Sequence, residues 1–238
     1  MRSKFLFFFL LLIMGGLGIT TLVSANHNFK EENSNLKSIK LPEVIRKGEI
    51  SVEEALTKRR SVRTYKDILL SLEQVSQLLW AAQGVTEPSL NFRTAPSAGA
   101  LYPSAVYLLS GNITGLPVGL YRYIPEQHAL ILVSKGDKRQ DLFQASLRQS
   151  SLRNAPGVLI FTAIMERTTR RYGERGIRYV YMEAGHASQN VYLQAAALGL
   201  GTVAIGAFDD RAVKAILDLP EQEQPLYLMP LFYPQGTV

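Results

Sequence analysis

The fold class this sequence predicts is an α+β sandwich, with helices packed on a sheet of strands in mixed order. Three observations lead there. Short apolar runs bounded by turn residues read as strands at 104–110, 118–124, 129–134, 157–164 and 226–233. Helical patterns precede and interrupt these runs without the regular strand–helix alternation of a doubly wound sheet. The stretch 179–206, YVYMEAGHASQNVYLQAAALGLGTVAIG, reads as one long helix entering one buried strand. Its apolar or small residues at Val180, Ala184, Ala187, Val191, Ala195 and Leu198 recur three and four apart. Gly199 stands where a C-terminal cap is expected, and Thr202–Ile205 is the strand. Because the order is helix, glycines, strand, Gly199-Leu-Gly201 is not a dinucleotide-binding turn, which needs glycines ahead of a helix.

Taken in order, residues 1–25 carry Arg2 and Lys4, an apolar run from Phe5 to Met14, and a small-residue site at Val23-Ser-Ala25. That pattern predicts a secretory signal and an exported protein, periplasmic or secreted; the rival is an uncleaved membrane anchor. Residues 26–50 read as a polar linker and 51–238 as the folded domain. Ser51-Val-Glu-Glu54 predicts a capped helix to Lys58, and Ser71-Leu-Glu-Gln74 a second one closed by Gly84. A loop at 86–103 follows, then the strands at 104–134, of which the last two form a hairpin through Pro125–His128. A helix is expected over 137–149 and a strand after Pro156. The five-arginine stretch 165–178, MERTTRRYGERGIR, is expected to be a loop or lid. Asp209 or Asp210 caps a helix to Leu219.

Composition narrows the chemistry. With 238 residues and 47% hydrophobic residues the chain can bury one core of ordinary size. It holds no cysteine, which excludes disulfides and thiolate catalysis, and three scattered histidines give no metal-ligand spacing. The net charge of +6 falls to +4 once Arg2 and Lys4 are removed with the signal, too little to argue for nucleic acid.

Two stretches carry candidate chemistry. Lys58-Arg59-Arg60-Ser61-Val62-Arg63 gathers four cations and a hydroxyl, which suits a phosphate through bidentate guanidinium bonds. The alternative is a solvated helix C-terminus, where cations are favoured by the helix dipole. Pro96-Ser97-Ala98-Gly99-Ala100 is a run of small residues whose backbone can approach a flat ligand, or an ordinary turn. His186 reads more readily as a core histidine than as a catalyst.

RRSVR, PSAGALYP and EAGHASQNVYLQAAALGLGTVAIGAFD, in that order, resemble the FMN-dependent nitroreductase superfamily, and within it the SagB-type dehydrogenases that oxidise azoline rings in peptides. The resemblance implies a nitroreductase-like α/β/α sandwich with a mixed, mainly antiparallel sheet, forming a homodimer with FMN at its interface. It places Arg59, Arg60, Ser61 and Arg63 at the ribityl phosphate and pyrimidine edge. Pro96, Ser97, Ala98 and Gly99 fall in a loop that packs on the isoalloxazine from the partner subunit. Ile205 and Gly206 supply backbone facing flavin N5. The azoline-oxidising members share a Lys-Tyr pair, and Arg171-Tyr172 stands in its place. Arginine keeps its proton, so Tyr172 is the candidate for proton transfer and Arg171 could orient an anionic substrate. The resulting expectation is an oxidoreductase exchanging two electrons with a small molecule or peptide. A non-catalytic flavin- or peptide-binding domain on the same fold is the alternative.

Overall fold

The computed structural model describes residues 38–236, so the signal and the linker residues 26–37 lie outside the described residues. Ser38–Lys40, inside the 26–50 stretch read as linker, is itself strand β1. Helix α1 (Val52–Lys58) is capped by Ser51, whose hydroxyl accepts from Glu54 N–H at 3.1 Å. Helix α2 (Leu72–Gln83) begins in a reciprocal box: Ser71 Oγ accepts from Gln74 N–H at 3.2 Å and Gln74 Oε1 from Ser71 N–H at 3.0 Å. Both satisfy backbone donors that a helix start leaves unpaired.

Strands β2 (Tyr65–Lys66), β5 (Ser104–Ser110), β6 (Gly119–Ile124), β7 (Ala129–Lys135), β8 (Gly157–Ile164), β9 (Gly201–Thr202) and β10 (Glu223–Pro234) build the main sheet with β1. Its order is β1-β7-β6-β5-β8-β10-β2, with β9 also on β10, and each of these strand pairs is antiparallel. Strands β3 (Val85–Glu87) and β4 (Phe92–Arg93) form a separate small hairpin.

Alternation along the central strands feeds two cores. Leu108, Leu159, Phe161 and Met229 meet α2 and helix α6 (Arg175–Ala197) through Leu78, Leu79, Ala187 and Val191. Tyr107, Leu109, Val158 and Ile160 face the other way. They meet Leu142 of α3 (Arg139–Ala145), Leu152 of α4 (Ser150–Arg153), and Val213 and Leu217 of α7 (Asp210–Leu217). A helical layer on each face of one sheet is the α/β/α sandwich expected.

Four local readings change. The helix expected over 137–149 stops at Ala145, because Leu147 and Arg148 take left-handed conformations (φ 51° and 56°) before α4 begins. The arginine-rich stretch is mostly helical: α5 (Glu166–Tyr172) ends at Gly173, φ 58°, and α6 starts at Arg175. Its polarity marks a solvated helix face, since arginine and glutamate are good helix formers. Gly176 makes the close join, as a Cβ there would come within 2.9 Å of Thr169 N. The strand read at 202–205 is a two-residue strand at 201–202 plus a single bridge from Ile205 to Leu228. His186 is exposed rather than in the core.

Candidate functional site

Tyr192 of α6 organises the first cluster. Its hydroxyl lies 3.0 Å from Ser61 Oγ and accepts from Ala204 N–H at 2.7 Å. The guanidinium of Arg59 sits 5.2 Å from the centre of its ring, within cation–π range. Ser61 and Thr202 bridge in parallel, and Val62 N–H donates to Thr202 O at 3.0 Å. So the arginine segment after α1 is stitched beside β9, and Ile205 and Gly206 are the next two residues after Ala204. Ile205 is fixed by two backbone bonds of 2.9 Å with Leu228, while Gly206 is exposed. Arg60 donates to the carbonyls of Thr57 and Arg59, each at 2.8 Å, capping its own helix end.

Within this cluster the donors suit an oxyanion. Among the described residues no carboxylate lies within ion-pair distance of Arg59 or Arg63. Thr202 is 1% exposed, yet its Oγ1 has no hydrogen-bond partner. The Arg59 guanidinium and the Ser61 hydroxyl, both held at Tyr192, are donors that a phosphate-bearing group fits, and Arg63 lies exposed two residues beyond Ser61. Among the described residues no group of side chains could hold a metal ion.

The loop 96–102 forms a second cluster. Glu183 of α6, 5% exposed, accepts from Ala98 N–H at 2.7 Å and also bonds the Ser97 hydroxyl. Burial holds its carboxyl above the ordinary value; the Ala98 amide, the Ser97 hydroxyl and His186 pull the other way. Ser97 Oγ accepts from Tyr102 N–H at 2.9 Å. The loop is bent sharply, with Gly99, Ala100 and Tyr102 at φ 61°, 53° and 45°. Tyr102 is clamped from outside: Arg93 stacks 4.5 Å from its ring centre and Arg167 donates to its carbonyl at 3.3 Å. A Cβ on Gly99 would lie 2.8 Å from both Arg171 Nη1 and Tyr172 Oη, so these two groups flank the bare Cα. The ring of Tyr172 is braced edge-on by Tyr179 at 5.3 Å.

The structure therefore joins Arg59 and Ser61 to the 204–206 backbone, and joins 97–99 to Tyr172, but it keeps the two clusters apart. Glu183 and Tyr192 are nine residues apart on one helix, which is about half a turn out of phase and about 13 Å along the axis. They anchor the clusters on opposite faces of α6. Sequence reasoning missed both anchors. Glu183 left a signal, being an acid on the buried stripe between Val180 and Ala187; Tyr192 left none.

Helices on both faces of an antiparallel sheet, with a cationic cluster and a small-residue loop both held by one long helix, form an arrangement that known proteins share. The chain belongs to the Nitroreductase family, whose model matches residues 56–233. It is 47% identical over 193 residues to MJ1384 of Methanocaldococcus jannaschii, provisionally named a nitroreductase, covering 81% of this chain and 94% of that one. The Microcin B17-processing protein McbC of Escherichia coli is 30% identical over 158 residues, 64% of this chain and 58% of McbC. Among solved structures, a provisionally named nitroreductase from Ralstonia eutropha JMP134 superposes with a TM-score of 0.75 at 31% identity, covering 85% and 92% of the two chains. The Escherichia coli microcin synthetase McbBCD, solved with truncated pro-MccB17 bound, matches with a TM-score of 0.66 at 26% identity, covering 87% of this chain and 81% of that one.

Proposed function

We propose that this oxidoreductase binds FMN and works as a homodimer, exchanging two electrons with a small-molecule or peptide substrate. The observation that carries this reading is the placement of the two clusters on opposite faces of α6. One ligand cannot meet both within a single chain. Two copies packed about this helix would bring the 96–99 loop of one to the arginine cluster of the other. The helix suits such packing: a Cβ on Gly185 would meet nothing within 4 Å, and Tyr181 and Met182 are exposed.

FMN, when bound, supplies the two-electron chemistry. Arg59 and Arg63 would hold its phosphate with Ser61 as a neutral donor, and Arg60 adds positive field from its helix-capping position. Pro96, Ser97, Ala98 and Gly99 would line the ring from the second chain, and the Ile205–Gly206 backbone from the first. Tyr172 Oη would hold the proton that accompanies the electrons. Similarity to the microcin-processing McbC supports a peptide-directed dehydrogenase of the SagB type. Arg171 cannot act as a base, so any such dehydrogenation must rely on Tyr172. The segment 1–25, with linker 26–50 and domain 51–238, supports export, and the mass of the protein recovered after secretion tests it.

The cofactor test is direct. Purified protein should carry about one FMN per chain and sediment as a dimer, and replacing Arg59 and Arg63 together by Ala should abolish retained flavin. A colourless protein that takes up no added FMN would sink the proposal. Flavin that is held but never reoxidised by any acceptor would favour the non-catalytic reading, which the loss of a lysine at Arg171 motivates.

A further inference from the structure

We infer that Arg171 and Tyr172 form a receiving site for an oxyanionic group on the substrate, a carboxylate or a phosphate, beside the 97–99 loop. This inference rests on the proposed flavin site and names the class of molecule that enters it.

Helix α5 and the first turn of α6 carry Arg167, Arg170, Arg171, Arg175 and Arg178 within twelve residues, and each of the five is exposed. Among the described residues none of them pairs with a carboxylate. The acidic residue nearest the loop is already engaged, since Glu183 takes the Ala98 amide and the Ser97 hydroxyl. The other buried acid, Glu223, accepts from Thr162 Oγ1. Glu166 and Glu174 lie on the same stretch, so its balance is 5 − 2 = +3, and a net positive field stands over the loop.

Geometry selects Arg171 within that field. Its Nη1 and the Tyr172 hydroxyl both come within 2.8 Å of the position that a Cβ on Gly99 would fill. Two donors of different kinds, one permanently charged and one able to release a proton, converge on a patch with no side chain of its own. Their positions are held from behind. Gly173, φ 58°, ends α5 immediately after Tyr172, and Tyr179 braces the phenol ring. A guanidinium offers parallel N–H groups that match the two oxygens of a carboxylate or phosphate, so it recognises that group and not merely its charge. A neutral substrate of the same shape would leave the guanidinium unpaired when it is covered, and is disfavoured for that reason.

Isosteric probes test this on the flavin-loaded, oxidised protein by isothermal titration calorimetry and by perturbation of the flavin absorbance. 4-Nitrobenzoate and 4-nitrophenyl phosphate are compared with neutral 4-nitrobenzamide. At least one anionic probe should bind about tenfold tighter than the amide, and which one does so identifies the oxyanion. Arg171→Gln should bring the ratio of anionic to neutral affinity near one, whereas Arg171→Lys should keep part of it. Equal affinities in the wild-type protein, or a ratio that survives Arg171→Gln, would overturn the inference. Flavin content is read on the same samples. Flavin-loaded protein without discrimination overturns this inference alone, and protein that takes up no FMN overturns the proposed function with it.

Discussion

Tyr192 Oη stands 3.0 Å from Ser61 Oγ, joining residues 131 positions apart, and the same oxygen receives the Ala204 amide at 2.7 Å. One phenol thus sets the distance between the arginine segment and the backbone before Ile205. Tyr192→Phe keeps the ring under Arg59 but leaves the Ala204 amide and Ser61 hydroxyl without this partner. The expected loss is about 1–2 kcal/mol of stability, with weaker flavin retention, as thermal unfolding and flavin stoichiometry would show. Unchanged flavin affinity would mean that the cluster tolerates a gap there.

Glu183 makes the 96–102 loop sensitive to pH. Its carboxyl is raised above the ordinary 4.5 by burial. The folded protein therefore holds that proton more tightly than the unfolded chain. The sign follows: this contribution is full below about pH 4.5 and is lost as pH rises through the elevated native value. Glu183→Gln, which cannot titrate, should remove that slope, so the difference in melting temperature between wild type and variant should shift against the wild type as pH rises. A constant difference across the window would refute the assignment.

Gly99 is expected to tolerate no side chain. Its φ of 61° is left-handed, and a Cβ would crowd Arg171 Nη1 and Tyr172 Oη. Gly99→Ala should cost about 1–2 kcal/mol locally and displace both groups. The measurement is turnover set beside global unfolding: turnover should fall far more than the melting temperature does.

Gly201 is a packing constraint on the frame itself. A Cβ there would come within 2.7 Å of the Phe232 ring and 3.2 Å of Val62. Gly201→Ala should destabilise by about 1–3 kcal/mol, read from urea unfolding, because Phe232 is fully buried and cannot step aside.

Much of the frame was legible because it rests on local signals. Both serine caps, the stripe from Val180 to Ala195, the Gly199 stop (φ 66°) and the strands at 104–110 and 157–164 stand where periodicity and capping chemistry place them. The stretch 165–178 was not, because polarity alone does not separate a solvated helix from a loop. The break at Leu147–Arg148 also escaped, since no glycine announces a left-handed turn there.

By itself the sequence determined the sandwich, the family resemblance and the residue types that could grip an anion, since these depend on periodicity, caps and composition over short spans. Only the tertiary structure decided which of them meet. It set Ser61 against Ala204 through Tyr192, bound the 97–98 loop to Glu183, and aimed Arg171 and Tyr172 at the bare Gly99. It also put the two clusters on opposite faces of one helix. The physical reason is that such meetings depend on the phase of a 23-residue helix and on strand order across the sheet, and neither is written in neighbouring residues.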